Sequence, residues 1–345
     1  MNIDKYIDAV KNCRFCFMCR HLSAVGNVTF TEADTPRVRA SMIYGVMMHP
    51  ELISDPDFID TLYRSDLSRC CCYHCVNHYD ENSLNIAMRT DLVEKGLAPD
   101  YVKAIAEKLQ ASGGWEISGS GEVGYFTDRY TLTAGSIAPA FDAVMKKAGI
   151  AYSVISGGCI GRALKVLGFA PEAKAAAEKF VSTVKAAGIK TLVVSNPAAY
   201  ELLKNDCAEF GIEVPFAVMH SAEYILSLGL KFAKAAGDVY YLESDYLKNY
   251  NDNLPFPRNL LAALNANVKP FGTNNEESYT CGEGAILLPE IDETIVAKLA
   301  AYIADRADDI ANDKIVVASP YTKVFLSKYT KLNVVTLEEL AAEVL

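Results

Sequence analysis

No apolar run in this 345-residue chain approaches the ~20 residues that a membrane-crossing helix needs, so a membrane-spanning segment is not expected. Basic runs are missing too: 33 Lys and Arg are scattered among 43 Asp and Glu. The formal net charge of −10 repels phosphate backbones, which argues against nucleic acid as a partner. The opening MNIDKYIDAV lacks the basic, apolar and small-residue segments of a signal peptide, so a cytoplasmic location is expected. Nucleotide signatures are also wanting. GSGEVG (119–124) follows no convincing strand, as a dinucleotide fingerprint requires, and CGEG (281–284) has no phosphate-binding lysine.

Cysteine, in contrast, is plentiful and unevenly placed. Seven of the ten lie between residues 13 and 75. Three of these, Cys13, Cys16 and Cys19, form CxxCxxC, a spacing that lets a tight loop wrap a [4Fe-4S] cubane. In a cytoplasmic chain such clustering points to metal and not to disulfides. Two-cluster ferredoxins carry CxxCxxCxxxC twice, and the fourth Cys of each motif serves the other cluster. On that template Cys13, Cys16, Cys19 and Cys75 complete one set, while the second set becomes Ser23, Ser65, Ser68 and Cys71. Serine is a poor cluster ligand, so one cluster is expected and the second is expected to be absent. A zinc site of four cysteines is the alternative. Cys70, Cys71 and Cys72 read as bystanders, although any of them is placed to replace Cys75. His74 and His78 flank the site as neighbours, not ligands.

Residues 1–112 read as short helices joined by loops, for example SDPDFIDTLYRS and APDYVKAIAEKLQ. The Gly/Ser-rich stretch ASGGWEISGSGEVG (111–124) reads as a boundary. Beyond it, apolar runs of four to six (AYSVIS, KTLVVS, VYYLES, KIVVAS) alternate with amphipathic helical stretches such as DETIVAKLAAYIADRADD. This pattern predicts parallel strands with helices on both faces. The chain also repeats itself: SGGCIGRAL precedes TLVVSNPAAYELL as SYTCGEGAIL precedes KIVVASPYTKVFL. The expected organisation is α/β, with a mostly helical domain over 1–112 and α/β repeats over 113–236 and 237–345. Cys207 reads as structural. Ser221 reads as the N-cap of a helix after His220, and NYNDNLPFPRN (249–259) as a surface excursion.

CRFCFMCRHLSAVGNVT with TPR and LYRSDLSRCCCYHCV resembles the ferredoxin-like part of the Fe–S oxidoreductases, which include the glycolate oxidase iron–sulfur subunit and heterodisulfide reductase C/D-type subunits. GRALKVLGF, AAGIKTLVVSNPAAYELLK and VMHSAEYIL resemble the tandem cysteine-rich CCG domain of that family. The resemblance implies a ferredoxin-like domain followed by tandem Rossmann-like α/β repeats. In the family each repeat supplies an early Cys, a Cys-Cys-Gly and a Cys-Pro-x-Cys to a non-cubane cluster. Here the first repeat has Asp128 or Arg129, then Cys159-Ile160-Gly161, then Asn196-Pro197-Ala198-Ala199. The second has Asp245, then Thr280-Cys281-Gly282, then Ser319-Pro320-Tyr321-Thr322. The non-cubane cluster is therefore expected to be absent, with Gly161, Gly282, Pro197 and Pro320 still marking the turns. Cys159, Cys281 and Asp245 are candidates for a residual site.

The resemblance implies an electron-transfer iron–sulfur subunit of an oxidoreductase complex. Its partner would be a flavin-dependent dehydrogenase subunit of 2-hydroxy acid type or another electron carrier. The alternatives are a scaffold or regulatory subunit with a structural cluster, or an enzyme using the emptied pocket for a small molecule.

Overall fold

The computed structural model describes residues 1–13, 16–275, 277–307 and 314–345. Helices dominate the first 111 residues: Ile7–Asn12, Ala24–Thr29, Pro36–Met48, Pro56–Tyr63, Cys70–His74, Glu81–Glu94 and Asp100–Ala111. The SDPDFIDTLYRS stretch starts its helix by local chemistry. Pro56 fills the first position, where its missing N–H is no loss, and Asp55 accepts from the amides of Asp57 and Phe58. The helix then buries Phe58, Ile59 and Leu62 against Ile43, Leu84, Met88 and Leu92.

Helix Glu81–Glu94 also fastens its neighbours. Asp91 accepts from the amides of Asn2 and Ile3. Arg89 is fully buried and donates to the carbonyls of Leu62 (2.5 Å) and Val166 (2.9 Å), with its guanidinium over the Tyr63 ring. Burial lowers its pKa to about 10, so it remains charged at neutral pH and is held by carbonyl dipoles and an aromatic face.

Two sheets follow. The first contains β1 (Trp115–Gly119), β2 (Val123–Thr127), β3 (Ser153–Gly157), β4 (Thr191–Val194) and β5 (Ala217–His220), in the order β1-β3-β2-β4-β5. The second contains β6 (Gly237–Leu242), β7 (Ala266–Val268), β8 (Lys314–Val317) and β9 (Asn333–Thr336), in the order β7-β6-β8-β9. All pairings are parallel except that of β1 with β3. Without β1, both sheets have the order second, first, third, fourth. The internal repeat is thus one topology used twice. The central runs Leu192-Val193-Val194 and Ile315-Val316-Val317 are buried throughout, as parallel strands covered on both faces require.

Two expectations change here. The Gly/Ser-rich boundary contains a strand: β1 runs antiparallel to β3, and the glycines after it turn the chain directly into β2. GSGEVG does follow a strand, contrary to expectation, but β2 and not a helix comes next; Gly119 and Gly121 serve the turn and Gly124 lies in β2. Helix Glu293–Ala304 matches DETIVAKLAAYIADRADD except at its tail, whose Asp308 and Asp309 lie outside the described residues.

The cap expected of Ser221 belongs to His220, whose Nδ1 accepts from the Ala222 amide. Ser221 instead donates to Glu338. Because Nδ1 accepts, Nε2 carries the proton, and it lies 3.1 Å from both the Ser195 and Ala318 carbonyls. These carbonyls follow β4 and β8, so one imidazole joins the two sheets.

Burial pushes the His220 pKa below its ordinary value, against the pull of Glu338. The folded chain keeps the ring neutral, while the unfolded chain protonates near pH ~6.5. This contribution is full above that pH and is lost as pH falls toward the depressed folded value. His220→Ala orphans two buried carbonyls and should cost about 2–4 kcal/mol in urea denaturation at pH ~7.5. The gap between wild type and His220→Gln should narrow on going to pH ~5.5; a constant gap would show that the imidazole does not titrate as argued.

Candidate metal centre

Five cysteines converge on one cavity of about 420 Å³: Cys13, Cys16, Cys19, Cys71 and Cys75. Cys13 ends helix Ile7–Asn12 in an extended conformation, its amide donating to the Val10 carbonyl. Cys19 follows on a turn closed by the Arg20 amide donating to the Phe17 carbonyl, 2.9 Å. Helix Cys70–His74 and its C-cap, Cys75, supply the rest. Cys71 and Cys75 are four positions apart, so one helical turn sets them on the same face, and the Cys75 amide bonds the Cys71 carbonyl.

The same turn directs Cys70 and Cys72 elsewhere. Cys70 is buried, its thiol donates to the Ser278 carbonyl (3.3 Å), and burial pushes its pKa up to about 12. The Cys72 thiol donates to the His78 carbonyl. Burial also raises the Cys19 and Cys71 thiols, and repulsion between neighbouring thiolates adds to it. A bound cation reverses that cost, because thiolates ligate metal in the deprotonated form. No cysteine is disulfide-bonded.

Ser23, Ser68 and Cys71 line a second space, with Arg39, Asp66 and Glu81. Its volume is about 10 Å³, room for about one water molecule. The Ser23 hydroxyl donates to the Asp34 carbonyl, and Ser65 Oγ accepts from the Leu67 amide. Arg39 and Glu81 form a buried ion pair.

The segment leading into helix Cys70–His74 is held from far along the chain. Leu67 (φ 49°) and Arg69 (φ 60°) adopt left-handed backbone conformations. The Leu67 carbonyl accepts from Asn82 Nδ2 (2.6 Å) and the Tyr250 hydroxyl (2.7 Å). Asn249 Nδ2 donates to the Ser68 carbonyl, and Arg69 donates to the carbonyls of Asn249 and Tyr250. The stretch read as a surface excursion thus begins inside the molecule: Asn249 is 1% exposed.

The two α/β units end differently at the equivalent crevice. In the first, a cavity of about 420 Å³ opens where β2, β3 and β4 end, at the point where strand order reverses. Phe126, Tyr130, Ile160 and Ile286 give it apolar walls; Asp128, Asn196 and Cys159 also line it, with Asn196 donating to Asp128. In the second, Asp245, Thr280, Cys281, Glu283 and Ser319 are all buried. Asp245 Oδ2 accepts from Thr280 Oγ1 (2.7 Å) and the Gly284 amide (3.0 Å), while Glu283 accepts from Ser244 Oγ and the Asp245 amide. Burial pushes both carboxyls up, Glu283 to about 7, and the charge of Glu283 raises Asp245 further. Cys281 therefore shares a buried cluster with Asp245, whereas Cys159 lines the separate first cavity. Gly161 and Gly282 take positive φ, and Pro197 and Pro320 open helices after β4 and β8. Cys207 is fully buried on its helix.

No protein-family model matches the chain. It is 22% identical over 309 residues to a protein named EtfAB:quinone oxidoreductase from Syntrophomonas wolfei, covering 79% of this chain and 43% of that protein. It is 26% identical over 179 residues to the "Probable iron-sulfur-binding oxidoreductase FadF" of Bacillus subtilis, covering 48% and 24%. The chain thus spans less than half the length of either relative. A crystal structure of a hypothetical protein from Helicobacter pylori superposes with a TM-score of 0.62 over 90% of this chain and 67% of that one, at 11% identity. That likeness concerns the fold alone. Among the described residues, no helix is long and apolar enough to cross a membrane.

A Cβ at Gly284 would lie 2.0 Å from the Leu67 carbonyl oxygen. Gly284→Ala should therefore cost about 1–3 kcal/mol and loosen the cysteine helix 214 positions earlier in sequence, counted from Cys70. Urea denaturation and alkylation of Cys70 followed by mass spectrometry check this. Unchanged Cys70 protection would refute the clamp.

Proposed function

We propose that this chain is an electron-transfer iron–sulfur protein, with Cys13, Cys16, Cys19 and Cys75 holding one [4Fe-4S] cluster. The observation that carries the reading is the convergence of these four cysteines on one cavity. When bound, such a cluster supplies a one-electron redox centre. The chain's own residues fit that role. The thiols come from two short, backbone-bonded turns, and Arg37, paired with Glu32, lines the same cavity. Cys71 reaches the cavity too and is the alternative fourth ligand.

Phe17, Met18 and Val76 are exposed beside these cysteines, Val76 at 85% and Phe17 at 72%. An apolar rim around a redox centre suits a docking partner. The names of the two relatives, one an EtfAB:quinone oxidoreductase and the other an iron–sulfur-binding oxidoreductase, support a redox role. We assign the partner to the flavin-dependent dehydrogenases or another electron carrier, with this chain as a relay in a cytoplasmic complex. The 10 Å³ space around Ser23 and Ser68 favours one cubane over two.

A second reading rests on the apolar cavity at the ends of β2, β3 and β4. A cavity of this kind at a topological switch point suits a small organic ligand, and would make this part of the chain a binding or catalytic unit in its own right.

Anaerobic purification with iron, sulfide and zinc analysis, followed by EPR after reduction, tests the first reading. About four irons and four sulfides with a reduced-cubane signal are expected. Cys75→Ser should lower the iron to less than half, and Cys71→Ser should leave it unchanged. The reverse pattern would move the fourth ligand to Cys71. Zinc without sulfide would overturn electron transfer.

A further inference from the structure

Beside the cysteine cavity, two imidazoles meet one carboxylate. His21 follows the Cys19 turn, His74 ends helix Cys70–His74, and Glu277 belongs to the C-terminal half. His21 Nε2 lies 3.0 Å from Glu277 Oε1, and His74 Nε2 lies 3.6 Å from the same oxygen. The three ligand atoms are all within 4.8 Å of one another. The rings stand edge to face, 5.6 Å between centroids at 86°.

Hydrogen bonding accounts for only part of this. The 3.0 Å contact is a good hydrogen bond, but 3.6 Å is too long for one. Two donors sharing a carboxylate would ordinarily divide its two oxygens; here both Nε2 atoms approach the same one. Metal coordination also fits the spacing. Zinc binds imidazole nitrogen and carboxylate oxygen at about 2.0–2.2 Å, which in tetrahedral geometry separates ligands by roughly 3.3–3.5 Å. The observed 3.0 and 3.6 Å straddle that range.

We propose that His21, His74 and Glu277 form a binding site for a divalent d-block cation of the zinc type, separate from the cysteine centre. Imidazole ligands disfavour calcium and magnesium, which take oxygen. The side chains are 48%, 31% and 23% exposed, which leaves solvent a path to complete the coordination shell. The site also joins distant parts of the chain. His21 and His74 sit next to the cysteine turns, and Glu277 adjoins Ser278, whose carbonyl already accepts from Cys70. A cation here ties the 277–278 segment to both turns that carry the candidate cluster ligands.

The test uses the full chain, reconstituted anaerobically with iron and sulfide, and titrates zinc ion into wild type, His74→Gln and Glu277→Gln by calorimetry. Wild type should take up one zinc equivalent that each variant binds at least about tenfold more weakly, with iron and sulfide content equal in all three. Zinc uptake identical in the three proteins, or none in wild type, would overturn the site. The outcome is independent of the cluster reading. If no sulfide is retained, thiolates take zinc equally in all three proteins, and the variant-dependent equivalent still reports on these residues. Cobalt(II) gives a second readout. The equivalent that depends on His74 and Glu277 should add visible bands without the near-ultraviolet charge transfer of a cobalt–thiolate bond. Thiolate charge transfer that disappears in His74→Gln would refute a site separate from the cysteines.

Discussion

One oxygen atom fixes the geometry of the cysteine centre. The Leu67 carbonyl takes an amide donor from helix Glu81–Glu94 and a hydroxyl from Tyr250, and Gly284 presses against it without a side chain. Left-handed backbone at two non-glycine residues, Leu67 and Arg69, costs of order ~1 kcal/mol or more each. Donors from elsewhere in the chain offset that cost. Without them the segment would relax, and helix Cys70–His74 would lose its fixed orientation toward Cys13, Cys16 and Cys19. The cysteine centre is therefore a product of the whole fold, since the bonds from Asn249 and Tyr250 reach back 181 and 183 positions.

The two α/β units meet the same constraint from opposite directions. Each has a crevice beyond its strand ends, and in each the residues there are polar and need partners. The second unit fills its crevice: the hydroxyls of Thr280 and Ser244 and the amides of Asp245 and Gly284 surround the Asp245 and Glu283 carboxyls, and burial favours a proton on the pair. The first unit leaves its crevice open, satisfies Asp128 with Asn196 and Thr131, and surrounds them with aromatic and aliphatic walls. His220 then links the strand ends of both units through a single ring nitrogen. A duplicated topology thus carries one closed crevice and one open one.

Local patterns in the sequence foretold the parts of the structure that local forces decide. The runs KTLVVS and KIVVAS read as buried parallel strands because they are short, β-branched and apolar, and alternate with helical stretches. The CxxCxxC spacing marked the cysteine centre, and the repeat marked the duplicated topology. Strand β1 escaped notice because glycines and serines flank it and it is exposed over most of its length, with neither an apolar run nor alternation in burial. His220 was hidden for another reason. Ser221 is the better intrinsic cap, and only the nearby Glu338 draws its hydroxyl away. The burial of Asn249 and the approach of Glu277 to His21 arise from contacts across the fold, which no periodicity records.

The contrast between the 420 Å³ cavity and its 10 Å³ neighbour turns on bulky paired side chains as much as on serine. Ser23 and Ser68 line the smaller space, yet serine is smaller than cysteine and by itself would leave more room, not less. Arg39 and Glu81 line that space as a buried pair, and Arg39 adds a hydrogen bond to the Asp34 carbonyl that helps offset desolvation. Asp66 stands beside them, its carboxyl pushed up by burial. Arg69 lines the space too, so two guanidiniums and two carboxyls already occupy the position that a cluster would need. Cysteine at Ser23 and Ser68 would thus meet a site already filled by these paired side chains. The residues that define the second space are therefore as much the ion pair and the aspartate as the serines between them.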